Sequence, residues 1–263
     1  MEVVIVDRPG DGAALVAGAI AALVALRDAP VLGLATGGTP QPVYDRLADD
    51  CSAGRLSLAG ASAFLLDEYV GLPAGHPASY RQVIEREVVA RTDLRSEAVH
   101  APDVAGEERE LPAACARYDD AIDAAGGVDL QLLGVGSDGH IGFNEPGSSL
   151  GSRTRLKTLT ARTRADNARF FDGDPEAVPH HVVTQGIGTI LAARHLVLLA
   201  WGDGKAEIVA RLVEGPVSAS VPASALQLHH HVTVIVDEPA ASRLERAGYY
   251  RETWASKPAW QGI

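Results

Sequence analysis

Residues 31–40 read VLGLATGGTP, and this stretch decides the fold class. Its first five residues are all apolar, which is typical of a strand that is buried on both faces of a parallel sheet. A glycine turn follows and leads into a helical pattern over Pro40–Ala48. We expect Thr39 to cap this helix and Pro40 to occupy its first turn. The stretch therefore predicts a strand, a glycine turn and a helix.

The same alternation of apolar runs and helical patterns continues along the chain. The predicted strands are Val3–Val6, Val31–Ala35, Ala63–Leu66, Leu130–Val135, Leu196–Ala200 and Val232–Val236. The predicted helices are Gly12–Arg27, Pro40–Ala48, Ser79–Val89, Ala113–Ala124 and Lys205–Val213. This alternation indicates an α/β fold, a doubly wound, mostly parallel and Rossmann-like sheet flanked by helices. We expect one domain over residues 1–263, with ligands beyond the carboxyl ends of the strands.

The composition is that of a soluble globular protein, with 46% hydrophobic residues and a mean hydropathy near zero. The net charge of −11 argues against partners such as nucleic acid or anionic membranes. No signal peptide pattern follows Met1, and the apolar stretch Ala13–Leu26 is short for a membrane span, so we expect a cytoplasmic protein. Cys51 and Cys115 lack metal-ligand spacing, and neither a disulfide nor a metal site is predicted.

The turn Thr36-Gly37-Gly38-Thr39-Pro40 is a candidate phosphate site. Glycines allow backbone N–H groups to approach a phosphate, and a helix N-terminus favours negative charge. A plain strand-to-helix turn without a ligand fits these residues about equally well.

Acidic residues end the next buried run, Phe64-Leu65-Leu66-Asp67-Glu68-Tyr69. A carboxylate at the carboxyl end of a strand could act as a base on a carbon-bound proton. Alternatively, one of the two acids caps the next turn.

The densest group of chemistry-bearing residues is GVGSDGHIGFNEP at residues 134–146, where Asp138, His140 and Glu145 lie within eight residues. Histidine can move protons near neutral pH, and carboxylates can orient it and stabilise its charged form. A zinc site is less well supported, because no second histidine follows at i+3 to i+5. Residues 134–146 contain no nucleophile elbow of the Gly-x-Ser-x-Gly type.

The longest stretch without a core pattern is Gly142–Asp174. Long loops in compact domains are often lids, and we expect a lid around residues 160–183.

These segments together resemble the glucosamine-6-phosphate deaminase family nearly end to end. The resemblance rests on LGLATGGTP, LDEYVGL with HPASY, GVGSDGHIGFNEPGSSLGSRTRLKTLT, NARFF, VTQGIGTIL and SALQLH, which occur in this order. It implies a cofactor-free enzyme of amino-sugar catabolism that converts glucosamine 6-phosphate to fructose 6-phosphate and ammonia.

The resemblance also implies roles for individual residues. Asp67 would move a proton from C2 to C1 of the opened sugar, and His140 would promote ring opening. Asp138 and Glu145 would orient His140. The phosphate would be bound by Gly37, Gly38 and Thr39 together with Arg169 and Lys205. The alternative for Arg169 is a solvated surface arginine.

Some members of this family are hexamers that N-acetylglucosamine 6-phosphate activates. The residues that resemble the activator site are Ser148, Ser149, Arg155 and Lys157. A solvated basic loop explains them about as well. The resemblance implies a homo-oligomer, up to a hexamer. Many relatives have an aromatic residue where this chain has Ser218–Pro222, which puts the local subunit contact or the regulation in doubt.

Two alternatives belong to other functional classes. A 6-phosphogluconolactonase shares the architecture but has a Ser-Leu-Phe-Pro type run where this chain has Phe143-Asn144-Glu145-Pro146. A non-catalytic sugar-phosphate sensor would be expected to carry a DNA-binding segment before the first strand and to lack the acids. The sequence favours the deaminase and leaves the preferred hexosamine 6-phosphate open.

Overall fold

The structure is a computed structural model that describes residues 1–263 apart from the side chain of Ala259. Its strands are β1 (Glu2–Val6), β2 (Val31–Leu34), β3 (Ser62–Leu65), β4 (Asp67–Tyr69), β5 (Val99–His100), β6 (Leu130–Gly134), β7 (Arg155–Thr158), β8 (His181–Thr184), β9 (His195–Ala200) and β10 (Val232–Asp237). Its α-helices are α1 (Pro9–Leu26), α2 (Gln41–Ser52), α3 (Tyr80–Glu87), α4 (Leu111–Ala124), α5 (Ala161–Asn167), α6 (Ile187–Ile190), α7 (Ala206–Val213), α8 (Glu238–Ala241) and α9 (Ala247–Ala255).

A seven-stranded parallel sheet with the order β1-β10-β9-β6-β2-β3-β5 forms the centre of the molecule. From β2 the chain runs outward through β3 and β5, then returns to β6 on the other side of β2. This reversal is a topological switch point, where open α/β sheets bind their ligands. The β2–β6 ladder joins only Leu32 to Leu130 and Gly33 to Gln131, so the two strands part beyond Gly33. A crevice opens there.

The predicted α/β class and parallel sheet are confirmed. All six predicted strands lie in this sheet, and their ends differ from prediction by one residue at most. The core strands β2, β9 and β10 are buried along their whole length, which explains why apolar runs located them so well. The helix after the glycine turn begins one residue later than the predicted start at Pro40. It begins at Gln41, Pro40 takes the N-cap position and no side chain caps it, so the prediction that Thr39 caps the helix is wrong.

A second sheet has three antiparallel strands in the order β4-β8-β7. Asp67 of β4 and Arg155 of β7 both pair with Thr184 of β8, which therefore lies between them. Sequence analysis did not predict this sheet. The stretch Gly142–Asp174, expected to be irregular, contains β7 and α5.

The helix α1 is unusually apolar, with a mean hydropathy of 1.7 over its 18 residues. Length and composition alone would allow it to cross a membrane. In the fold it packs against β1, β10 and α2 and buries Val16, Ala17 and Ile20. These contacts bury 28% of its 18 residues.

Candidate active site

A cavity of about 390 Å³ occupies the crevice between β2 and β6. Its size falls in the usual range of small-molecule sites, about 300–1,000 Å³. Seven of the nine predicted catalytic and phosphate-binding residues line it, namely Gly37, Gly38, Thr39, Asp67, His140, Arg169 and Lys205. The other two, Asp138 and Glu145, support the lining from behind. The switch point of the sheet therefore brings together residues from five separate segments.

Asp67 and Glu68 are adjacent buried acids with different surroundings. The Glu68 carboxylate accepts hydrogen bonds from the backbone N–H of Tyr69, Tyr80 and Arg81 (2.9–3.0 Å) and from the Ser79 hydroxyl (3.0 Å). It thereby fixes β4 to the N-terminus of α3, which is the capping role that sequence analysis left open for either acid.

Asp67 instead lines the cavity, and among the described residues no hydrogen bond to its carboxyl group is present. Burial raises the pKa of Asp67 well above its ordinary value, and the Glu68 charge raises it further. A carboxylate with a raised pKa is a stronger base than one in water.

His140 folds back over its own glycine loop. Its Nδ1 lies 2.7 Å from Oδ1 of Asp138, which also accepts the His140 backbone N–H at 3.1 Å. The hydrogen bond to His140 lowers the pKa of Asp138 to about 2, so Asp138 is an anion at neutral pH. A Cβ at Gly136 would lie 2.1 Å from the imidazole Cε1, so only glycine allows this ring position. The pair presents the free Nε2 edge of the ring.

Glu145 lies behind the loop rather than in the cavity. Its Oε1 accepts hydrogen bonds from the hydroxyls of Thr160 and Thr163, the first at 3.1 Å. These threonines stand at the N-terminus of α5, where Thr160 is the N-cap. The structure does not pair Glu145 with His140 by a hydrogen bond among the described residues. It pairs Glu145 with the start of the segment that was predicted to be a lid.

One group of lining residues, called the cationic end here, contains Lys205, Arg169 and the turn after β2 and is rich in hydrogen-bond donors. The turn after β2 offers the backbone of Gly37, Gly38 and Thr39, and the turn after β9 brings Lys205, whose Nζ donates to the Val135 carbonyl oxygen at 2.8 Å. Arg169 lines the same end and stacks over Phe170, 4.7 Å from the ring centroid.

The two cations of this end are close enough to affect each other. Burial lowers the pKa of Lys205, and the Arg169 charge lowers it further. No carboxylate forms an ion pair with either cation among the described residues. An anionic ligand would relieve this repulsion, which suits a phosphate group.

The four residues that resemble an activator site lie outside this cavity. Ser148 is buried, and its Oγ has no hydrogen-bond partner among the described residues. Ser149 is exposed, whereas Arg155 and Lys157 are half-buried. Arg155 and Lys157 are two residues apart on β7 and so share a face of the small sheet. Burial lowers the pKa of Arg155.

The segment Ser218–Pro222, where many relatives have an aromatic residue, packs against the glycine loop. The carbonyl oxygen of Ala219 accepts the Gly147 N–H at 2.8 Å, and the Ala223 N–H donates to the Gly139 carbonyl oxygen at 2.9 Å. Its small residues therefore support the loop that carries His140.

Several lining residues were not predicted. They are Ser137, Tyr80, Phe143, Thr163, Asp166, Asn167 and Phe170. Three of them, Asp166, Asn167 and Phe170, are close to Arg169 in the sequence. The role expected for Arg169 could therefore have indicated that they line the cavity. Of the side chains that the structure describes, no three His, Cys, Asp or Glu residues form a group suited to a metal ion. Independence of metals and cofactors stays a prediction.

Comparison with known proteins agrees with this geometry. The family described as glucosamine-6-phosphate isomerases/6-phosphogluconolactonase matches residues 10–235. A glucosamine-6-phosphate deaminase of Beutenbergia cavernae is 61% identical over 263 residues, all of both chains. A solved monomeric glucosamine-6-phosphate deaminase is 40% identical, with a TM-score of 0.88 over 92% of this chain and 100% of that one.

A 6-phosphogluconolactonase from Thermotoga maritima superposes with a TM-score of 0.69 over 90% of this chain and 98% of that one. Its identity is 20%, so it shares the fold alone. The match to the family covers both the turn after β2 and the glycine loop after β6. The chain belongs to the family of glucosamine-6-phosphate isomerases and 6-phosphogluconolactonases.

Proposed function

We propose that this protein converts glucosamine 6-phosphate and water to fructose 6-phosphate and ammonia. The observation that carries the proposal is one cavity that brings together three kinds of group. They are a buried carboxyl group without a hydrogen bond from the described residues (Asp67), an imidazole (His140) and a cationic end (Arg169 and Lys205). Isomerisation needs two proton transfers at different atoms of the sugar, and these two groups differ in environment as such steps require. The likeness to deaminases over the full length supports the same activity.

The phosphate would bind at the cationic end. Backbone N–H groups of Gly37, Gly38 and Thr39 would donate to it from one side, and Lys205 and Arg169 from the other. This orients the sugar so that C1 and C2 extend towards His140 and Asp67.

His140 would open the ring. Asp138 holds Nδ1 in its protonated form, so Nε2 accepts the proton of the anomeric hydroxyl and returns it to the ring oxygen. The C1–O bond of the ring breaks and leaves an aldehyde at C1. Glu145 would act through the lid, since its hydrogen bonds reach Thr160 and Thr163.

Asp67 would then remove the proton from C2 of the open aldehyde and deliver it to C1. The double bond moves from the C1 carbonyl to the C2–N bond while one proton passes from the amino nitrogen to O1, so C1 becomes a hydroxymethyl group and C2 carries an imine. Water adds to the imine at C2, and the C2–N bond breaks to release ammonia and the ketone. Each step is a proton transfer or hydration that side chains can promote.

The segment around residues 160–183 would act as a lid over the substrate. It carries Arg169 at the cavity and is bound at its start by Glu145. Its last residues, 181–183, lie in β8, so closure would involve the part before this strand.

Regulation and assembly are further parts of the proposal. Ser148, Ser149, Arg155 and Lys157 would bind N-acetylglucosamine 6-phosphate, and the buried, unpartnered Ser148 hydroxyl supports a ligand there. Small residues at Ser218–Pro222 predict weak activation. We also propose a cytoplasmic homo-oligomer, up to a hexamer, on the support of the exposed apolar side chains Leu26 and Trp260.

An ammonia-release assay tests the activity, with glucosamine, galactosamine and mannosamine 6-phosphates as substrates, with and without EDTA. We expect the highest rate with glucosamine 6-phosphate and no effect of EDTA. Faster hydrolysis of 6-phosphogluconolactone would favour the lactonase instead, and binding without turnover would favour a sensor. Hyperbolic kinetics, unchanged by N-acetylglucosamine 6-phosphate, would agree with weak regulation, and light scattering would give the oligomeric state.

A further inference from the structure

The turns that carry the phosphate donors are not neighbours in the sheet. One follows β2 and the other follows β9, and β6 lies between these strands. Two strand spacings separate them, about 10 Å, and no backbone ladder joins the turns themselves. The ladders through β6 fix the strands themselves, so a direct contact between the two turns must come from a side chain.

The indole of Trp201 makes that connection. Trp201 follows β9 directly and precedes Lys205 by four residues, and its Nε1–H donates to the Thr39 carbonyl oxygen at 2.9 Å. A single side chain thus links the turn that holds Lys205 to the turn that offers the glycine N–H groups. Trp201 does not line the cavity itself.

The surroundings of Trp201 hold it in this position. On one side, a Cβ at Gly12 would lie 2.8 Å from the ring atom Cη2, so α1 fits against the indole only because residue 12 is glycine. On the other side, the Gly202 N–H donates to both carboxylate oxygens of Asp237, at 2.9 and 3.0 Å. Asp237 is itself fixed at the start of α8. Because the indole is held on both sides, its hydrogen bond can fix the distance between the two turns.

We propose that Trp201 is a positioning residue for phosphate recognition, which sets the distance between the Gly37–Thr39 turn and Lys205. This rests on the proposed function, because it assumes that these turns bind the substrate phosphate. A merely structural tryptophan would contribute to folding but not specifically to phosphate affinity.

The test uses Trp201→Phe, which keeps an aromatic ring and removes the N–H donor, with Trp254→Phe of α9 as the matched control. Calorimetry measures the Kd of inorganic phosphate, and kinetics give KM and kcat for glucosamine 6-phosphate. We expect Trp201→Phe to raise both the phosphate Kd and KM about three- to tenfold, the effect of one lost hydrogen bond, and to change kcat less. Trp254→Phe should match wild type.

A second variant perturbs the indole from outside the site. Gly12→Ala should displace the ring and weaken phosphate binding in the same direction while the N–H donor is retained. Phosphate titration should also change the tryptophan fluorescence of wild type and Trp254→Phe but not of Trp201→Phe. Unchanged phosphate affinity in either folded variant, or an equal loss in Trp254→Phe, would refute the proposal. If wild type binds phosphate but releases no ammonia, the proposed function is wrong. The phosphate Kd values of the variants still test the role of Trp201 in that case.

Discussion

Replacing Asp67 by asparagine should make the protein inactive and more stable at the same time. The Asp67 carboxyl group is buried and accepts no hydrogen bond from the described residues, so its charged form is poorly solvated. Asparagine has nearly the same shape and cannot ionise. The free energy of unfolding should therefore rise when the charge is removed.

The size of this effect follows from the extra cost of burying a charge in place of a neutral amide, since both groups lack a partner there among the described residues. We take this excess as about 1–3 kcal/mol, the scale of an unpaired buried polar group, and one kcal/mol shifts the Tm of a protein of this size by roughly 2–4 °C. Asp67→Asn should therefore raise Tm by roughly 2–12 °C. Because the pKa of Asp67 is raised in the folded state, its contribution to stability is lost as pH rises through that pKa. The gain should be larger at pH 8.5 than at pH 5.

Thermal unfolding at the two pH values measures the effect, and Glu68→Gln is the matched control. Glu68 is equally buried but accepts four hydrogen bonds, so its replacement should lower stability by at least about 1.5–3 kcal/mol. If Asp67→Asn raises the free energy of unfolding and Glu68→Gln lowers it, Asp67 is held at a cost in stability, as expected for a functional residue, whereas Glu68 is structural. A lower Tm for Asp67→Asn at pH 8.5, or a gain that does not depend on pH, would refute the reasoning.

Three further predictions concern the phosphate end, the imidazole and the lid. Lys205→Ala and Arg169→Ala should each weaken binding of glucosamine 6-phosphate by about 1.5–3 kcal/mol, roughly ten- to a hundredfold in KM; the same loss with unphosphorylated glucosamine would place them elsewhere. His140→Gln should slow the cyclic substrate by about 10²–10⁴, and an open-chain substrate should recover part of that rate; no recovery would remove His140 from ring opening. Thr163→Val removes a hydroxyl bound to Glu145 and should increase proteolysis within residues 160–180; unchanged cleavage would show that this contact does not hold the segment.

The parallel sheet could be predicted because its strands are buried on both faces. Runs such as Leu196–Ala200 contain only apolar residues, which is typical of strands buried on both faces. The second sheet could not be predicted in the same way. Its strands Asp67–Tyr69 and Arg155–Thr158 are short and mix charged with apolar residues, so they form only because the fold brings them beside β8.

The candidate site could be located by its position at the ends of strands, but its contacts could not. Glu145 is five residues from His140, and the resemblance to the deaminases implied that it orients His140. The turn between them directs Glu145 to Thr160 and Thr163 instead. Trp201 was missed although it follows β9 directly, a position that sequence analysis had already marked as the place where ligands gather.

The strand β8 contributes no residue to the cavity lining that the structure describes, yet its length is tightly constrained. Thr184 pairs with Asp67 on one side and with Arg155 on the other. In a β-sheet, a shift of one residue moves every side chain to the opposite face. A single deletion within His181–Thr184 would therefore turn Asp67 or its partners away from the crevice, whereas many apolar replacements of Val182 and Val183 would not. We therefore expect β8 to tolerate substitutions far more readily than insertions or deletions.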